Sequence, residues 1–316
     1  MRMPVRKLSG NIREMKLILS FSLAVLFAAT AWSQPCVDAA KLVKPALLAE
    51  AAKTYEANLA IARESYSKNP NIAEELIWYG RRVAYTGEYR EAIKIFTEGV
   101  SKFPKDARMY RHRGHRYITL RCFDDAIRDF EAAAQLVEGK PDEIEPDGMP
   151  NARNIPTSTL QSNIWYHLGL AHYLKGDFKR AERAYAKCQK VSKNNDMLVA
   201  TVYWRYMTLR RLGKAKVAKQ LLKSLPKDLE VIENEDYLKL IKLNRGEERP
   251  ENLLSTIKGD ANTLGSASLG YGIGNYFLYN GDRERAMDIF RRIVGGDQWA
   301  SFGYIAAEVE LIRQPA

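Results

Sequence analysis

The sequence predicts an all-α protein, an α-solenoid of stacked antiparallel helix pairs, on three observations. The first is self-similarity at an offset of 34 residues: Gly80 falls on Gly114, Val83 on Tyr117, Tyr89 on Phe123, Ala92 on Ala126 and Phe96 on Phe130, without a gap. A fixed period of this size is the mark of a repeat array. The second is that apolar residues recur at i, i+3, i+4 and i+7, the spacing of one helix face. The third is that no run alternates apolar with polar residues as a half-buried strand would.

Taken in order, residues 1–33 read as a secretory signal peptide. Arg6, Lys7, Arg13 and Lys16 precede an apolar run over residues 17–31, and Ala31-Trp32-Ser33 places small residues where cleavage before Gln34 needs them. Met15-Lys16 would itself begin a compact signal peptide. The run is short for a membrane span, which takes roughly 20 apolar residues; an uncleaved anchor is the alternative. Ser33-Gln34-Pro35 before Cys36 is a poor lipobox. The chain is therefore expected to be exported, periplasmic or extracellular, with no membrane insertion after cleavage.

Residues 34–72 form an N-terminal helical segment, a decayed repeat with Leu42, Ala49, Tyr55, Ala62 and Pro70 at the right offsets. Residues 73–138 hold two full units. An insertion, 139–161, is rich in proline and locally acidic through Asp142, Glu143, Glu145 and Asp147. Three readings of it stand side by side: a solvated loop, a segment folded across the groove through Met149, Ile155 and Leu160, or a calcium site, which the acidic spacing fits poorly. Residues 162–195 form another unit, 196–266 degenerate helices, 267–297 a further unit, and 298–316 a capping helix. That last helix is expected to turn Trp299, Phe302, Ile305 and Val309 inward and Glu308, Glu310 and Arg313 to water.

Each repeated position has a physical reason. Gly80, Gly114 and Gly169 sit where a side chain on the first helix would hold the second away; Ala92, Ala126, Ala181 and Ala286 are the small residues opposite. Glycine inside a helix costs about 1 kcal/mol of propensity, so closer packing must offset it. Gly87, Gly176, Gly213 and Gly281 suit the left-handed turn that ends the first helix. Pro70 and Pro104 stop the second. Trp165, Leu168, Gly169, His172, Gly176, Phe178, Ala181 and Tyr185 complete a pattern that resembles the tetratricopeptide (TPR) family, whose period is also 34. That resemblance implies a right-handed superhelix whose concave face, lined by first helices, takes extended peptides. It is similar to exported bacterial TPR proteins that act as envelope adaptors.

Composition excludes much else. The formal charge is +11, and beyond Ser33 the balance is 44 basic against 37 acidic residues, a steering field rather than a fold determinant. Export disfavours nucleic acid as partner and leaves anionic surfaces, cell-wall polymers or acidic proteins as the candidates. Three cysteines, Cys36, Cys122 and Cys188, permit at most one bridge; Cys122 and Cys188 occupy repeat positions that suit buried, unreactive thiols. The four histidines form no metal-binding pattern, and no nucleophile elbow or P-loop is present. Gly270-Tyr271-Gly272-Ile273-Gly274 lies on a helix and follows no strand. No catalytic residue, metal or cofactor is assigned, and the chain reads as a non-catalytic scaffold.

The register assigns the groove to Arg81, Arg108, Arg111, His115, Asn163, Tyr166, Tyr173, Tyr203, Met207 and Arg210. Basic at one end and aromatic at the other, this surface suits a protein or peptide with an acidic or C-terminal carboxylate end and an apolar stretch. The Lys and Asn pattern of carboxylate-clamp repeats is not reproduced. Alternatives are that Arg108 and Arg111 only solvate an exposed face, that the tyrosines take a small molecule or glycan, and, third, an enzyme site near the insertion.

Overall fold

Fourteen helices follow one another among the described residues, with no strand between them. The structure, a computed structural model, describes Met1, Cys36, Leu47, residues 49–257 and residues 264–313, without the side chains of 264–266. The signal peptide expected over 1–33 and the decayed-repeat position Leu42 lie outside the described residues.

A single helix, α1 (Ala49–Lys68), opens the array. Pairs follow: α2 (Ala73–Tyr85) with α3 (Tyr89–Lys102), α4 (Ala107–Thr119) with α5 (Phe123–Leu136), and α6 (Leu160–Lys175) with α7 (Phe178–Val191). Next come α8 (Asn195–Arg211) with α9 (Ala215–Lys223), α10 (Glu235–Arg245) with α11 (Pro250–Ile257), and α12 (Leu264–Tyr279) with α13 (Arg283–Val294). The last helix is α14 (Phe302–Arg313). Among the described residues no helix is long and apolar enough to cross a membrane.

Local chemistry sets the boundaries. Asp106, Thr159, Asp177, Asn194 and Asp282 each accept a hydrogen bond from a backbone N–H of the helix they precede, satisfying a donor left orphaned at a helix start. Gly176 ends α6 at φ 90° and Gly281 follows α12 at the same angle, a conformation costly for any residue bearing a Cβ.

Within pairs, the glycines do what their spacing predicts. A Cβ on Gly80 would stand 2.6 Å from the Phe96 ring, on Gly114 3.0 Å from Phe130, on Gly169 2.8 Å from Tyr185, and on Gly274 2.3 Å from Phe290. The ring of each second helix thus rests on the bare backbone of the first. Ala92, Ala126, Ala181 and Ala286 are fully buried opposite. First helices also touch from unit to unit, α2 with α4, α4 with α6 and α6 with α8; they form the inner side of the array, and the second helices form the outer.

Two expectations need correction. Cys122 is not a free thiol: it is bridged to Cys36. Cys188 is buried, and burial pushes its thiol up to about 11. The second concerns α14, whose charged residues are engaged in ion pairs while Ile312 is the one exposed to water. Glu310 is fully buried between Arg211 (2.7 Å) and Arg313 (3.3 Å), and Glu308 pairs with Arg121 at 2.8 Å. Tyr304, Ile305, Ala306, Ala307 and Val309 are buried as well. A helix apolar around most of its circumference belongs inside a protein rather than at its edge.

Replacing Gly169 by alanine tests the glycine–ring contact. Propensity alone would favour alanine by about 1 kcal/mol, yet the methyl must displace a fully buried tyrosine ring. We expect a net loss of about 1–3 kcal/mol, read from urea unfolding followed by circular dichroism; a gain in stability would refute the contact.

Candidate functional site

The inner side is where the register places the partner groove, and most of it is filled by the chain itself. Two segments do the filling, the 139–161 insertion and the C-terminal stretch from Gln298 to Arg313.

The insertion folds across α2 and α4. An isolated antiparallel bridge joins Ile144 to Thr159, and the Asp142 carboxylate accepts from Thr159 Oγ1 (2.6 Å) and Gln161 N (3.0 Å) at the start of α6. Between these anchors Glu145 is buried, 2.9 Å from Arg111. Arg81 donates to the Pro146 carbonyl at 2.8 Å and Arg82 to that of Gly148 at 2.7 Å. Gly148 packs so closely on Tyr85 that a Cβ there would stand 1.8 Å from its hydroxyl. Of the three readings, the fold across the groove is the observed one. Polar contacts hold it, since Met149 and Ile155 remain exposed.

Charge here is unbalanced. Arg81 and Arg111 are buried and Arg116 partly so, with Glu145 the carboxylate in ion-pair contact with Arg111. Arg111 Nε and Glu145 Oε2 have no hydrogen-bond partner among the described residues. Burial lowers Arg111, partly countered by Glu145. Burial takes Arg116 down to about 10, with the charges of Arg111 and Arg81 adding to it. His112 and His115 are driven well below their ordinary value, first by burial and then by the arginines around them. The cluster is a cationic recess that carries few anions.

The C-terminal stretch covers the next part. Phe302 lies 5.3 Å from the His115 ring and 5.5 Å from that of His167. Arg313 stacks on Phe178 and donates to the carbonyls of Tyr173 and Leu174. At the far end Trp299 stacks on Tyr89, with ring centroids 6.1 Å apart. Arg121 anchors the whole segment. It donates to the Trp299 carbonyl (3.0 Å) and Glu308 (2.8 Å), and its guanidinium stands 4.1 Å over the Trp299 ring. It does so at φ 61°, in the turn position that Gly87 holds one repeat earlier. A bulky residue in that conformation points to a demand from elsewhere, and the buried anchor is that demand.

The remaining predicted groove residues are also engaged internally. Arg108 pairs with Glu74 and Asp106, each at 2.6 Å. Asn163 donates to Ser158 (2.9 Å), and Tyr166 meets Tyr237 (3.4 Å). The Tyr173 hydroxyl bonds those of Tyr271 (2.9 Å) and Tyr279 (3.3 Å). Tyr203 donates to the Gly272 carbonyl at 3.3 Å, Met207 receives Asn275 at 3.3 Å, and Arg210 donates to the Tyr279 carbonyl at 2.6 Å. The structure therefore brings Arg81 and Arg111 together around Glu145, His115 against Phe302, and the tyrosines into the packing of α10 and α12. Arg121, Glu145 and Glu310 were missed by sequence reasoning. An arginine where the repeat wants glycine was the available signal for the first.

Two measurements follow. Arg121→Gly keeps the left-handed turn and removes only the anchor; we expect a loss of about 3 kcal/mol and faster proteolysis within α14, and unchanged values would refute the anchoring role. The second is acid sensitivity. Burial holds His167 down to about 3 and His172 to about 4, against an ordinary 6.5. Below pH 6.5 the unfolded chain takes up protons that the folded chain refuses, so stability falls as pH drops through that window. By pH 5 each histidine should cost roughly 2 kcal/mol. Thermal melts at pH 7 and pH 5 check this, and an unchanged Tm would contradict it.

Residues 162–195 match the family model described as tetratricopeptide repeat, and they coincide with α6, α7 and the turn between them. Among curated proteins, the Hsp70-Hsp90 organizing protein of Triticum aestivum is 32% identical over 68 residues, 22% of this chain and 12% of that protein. That of Glycine max is 31% identical over 68 residues, with the same shares of 22% and 12%. The chain thus spans about an eighth of the length of the curated relatives it matches. Among solved structures, YrrB, described as a TPR protein with an unusual peptide-binding site, is 14% identical and aligns over 79% of this chain and 97% of its own, with a TM-score of 0.42. A tetratricopeptide repeat protein from Parabacteroides merdae is 15% identical over 80% and 93%, with a TM-score of 0.45. Residues 162–195 thus carry a tetratricopeptide-repeat unit, and with the same glycine–ring pairing in three other helix pairs the described residues form a helical-repeat array similar to tetratricopeptide-repeat proteins.

Proposed function

We propose that this chain is a non-catalytic adaptor of the bacterial cell envelope that receives an acidic peptide segment, or a C-terminal carboxylate, in the recess of Arg81, Arg111 and Arg116. The observation that carries this reading is Glu145. A carboxylate from the chain's own insertion occupies the recess, yet leaves Arg111 Nε and its own Oε2 unpaired. A buried donor without a partner costs about 1–3 kcal/mol. An incoming carboxylate that engages the guanidinium fork with both oxygens would recover that cost. Glu145 is then a built-in competitor, and binding displaces the insertion from α2 and α4.

Export is supported by the basic and apolar N-terminal segment and by the Cys36–Cys122 bridge, which suits an oxidising compartment. The curated relatives are named as organizing proteins for Hsp70 and Hsp90, and bringing proteins together is the role proposed here, with a different client. The predicted tyrosines bond to Tyr237, Tyr271, Tyr279 and the Gly272 carbonyl inside the fold, so the carboxylate recess is the better-supported site.

The test is fluorescence polarisation with a labelled peptide ending in two acidic residues, against its neutral, amidated counterpart. Glu145→Gln removes the competitor and should tighten acidic-peptide binding about tenfold, corresponding to about 1.4 kcal/mol. Arg111→Gln should abolish it while circular dichroism stays unchanged. Equal binding of both peptides, or no response to Glu145→Gln, would overturn the proposal.

A further inference from the structure

The positive charge of this protein is concentrated in one stretch of its sequence. Residues 178–227 contain 14 Lys and Arg against two acidic residues, Glu182 and Asp196. The rest of the chain after Ser33 carries 30 basic and 35 acidic residues, so this stretch supplies more than the whole excess. One of its carboxylates offsets a single cation on α8, and the other is buried. Glu182 is paired with Arg205 at 2.7 Å. Asp196 is buried and accepts from the backbone N–H groups of Ile232, Glu233 and Asn234.

The fold arranges the excess on a surface. On α7, Ala181, Ala184, Tyr185 and Cys188 face inward, which leaves Lys179, Arg183 and Lys190 outward; on α9, Ala218 and Leu222 face inward, which leaves Lys216, Lys219 and Lys223. All six are exposed, and among the described residues no carboxylate lies in ion-pair contact with any of them. Both helices are second helices of successive pairs, so the charges belong to the outer side. Val217, an exposed aliphatic residue, stands among the α9 lysines.

We infer that this ridge docks on the surface of an anionic phospholipid bilayer. The residue types and the shape select that occupant. Most of the cations are lysines, compact hydrated charges that suit a field of phosphates better than one bidentate ligand. The face is outward and spread over two helix pairs, and the cavity that borders it at Lys187 and Lys190 is also lined by Glu131 and Glu138, which a linear polyanion would meet. Among the described residues no aromatic side chain is prominently exposed, so there is no platform on which unpaired bases would stack. A lysine held near an anionic leaflet contributes about 1 kcal/mol, and the attraction fades within a Debye length of about 8 Å. Several lysines on one face therefore suffice for reversible attachment without insertion.

The experiment is co-sedimentation of the full chain with vesicles of phosphatidylcholine, with or without about one third phosphatidylglycerol. Binding should require the anionic lipid and be lost at about 0.5 M NaCl, where screening is short-ranged. The triple variant Lys216→Gln/Lys219→Gln/Lys223→Gln should weaken it roughly tenfold or more. A control with the same charge change elsewhere, Lys53→Gln/Lys94→Gln/Lys105→Gln, should bind like the parent. All six positions are exposed, so both variants should fold, and unchanged circular dichroism verifies it. Equal sedimentation with both vesicle types, or equal losses in the two variants, would overturn the inference. So would tighter retention of a polyglutamate or oligothymidine probe than of anionic vesicles.

Discussion

The contact between a bare stretch of helix backbone and an aromatic ring sets everything else in this molecule. At Gly80, Gly114, Gly169 and Gly274 the missing side chain lets Phe96, Phe130, Tyr185 and Phe290 lie directly on the first helix of each pair. That fixes how near two helices stand, and the nearness fixes how pairs lean on their neighbours. An inner side lined by first helices and an outer side of second helices then follow. The insertion and α14 have a trough to enter only because the pairs are this tight.

A trough of this kind is normally a vacancy waiting for a client. Here the chain supplies two occupants of its own, and they differ in character. The C-terminal stretch is bound as a core element, by buried aliphatic side chains, the Arg121 anchor and the enclosed Glu310. The insertion is bound as a ligand would be, by carbonyl acceptors and one carboxylate, with Met149 and Ile155 left in water. Apolar burial is hard to reverse, whereas an imperfect polar fit can be exchanged for a better one. The inner side is thus closed at one part by a core element and covered at another by a segment held through polar contacts, and its outer side carries charge that neither occupant uses.

Much of this could be read from the sequence, and the limit has a physical cause. Helix pairs, their turns and the glycine–ring register depend on contacts between residues less than one repeat apart, which leave a periodic trace. The groove's fillings do not. Arg121 meets Glu308 across 187 residues and Arg313 meets Tyr173 across 140, and no local spacing records such a pairing. Charged residues on α14 looked like a wet face because, Arg313 apart, the groups that pair with them are remote in the chain. Their partners, Arg121 and Arg211, sit on turns and helices many units earlier. The Cys36–Cys122 bridge escaped notice in the same way, because Cys122 also fits a small apolar repeat position.

Arg121 has one more implication, for the order in which the chain can be made. In an open array each unit leans only on the next, so the early units could settle as soon as they leave the ribosome. Here the second unit holds its arginine in a costly backbone conformation, and the groups that make that worthwhile, the Trp299 carbonyl and Glu308, are translated 178 and 187 residues later. The turn between α4 and α5 gains its full set of contacts when α14 is in place.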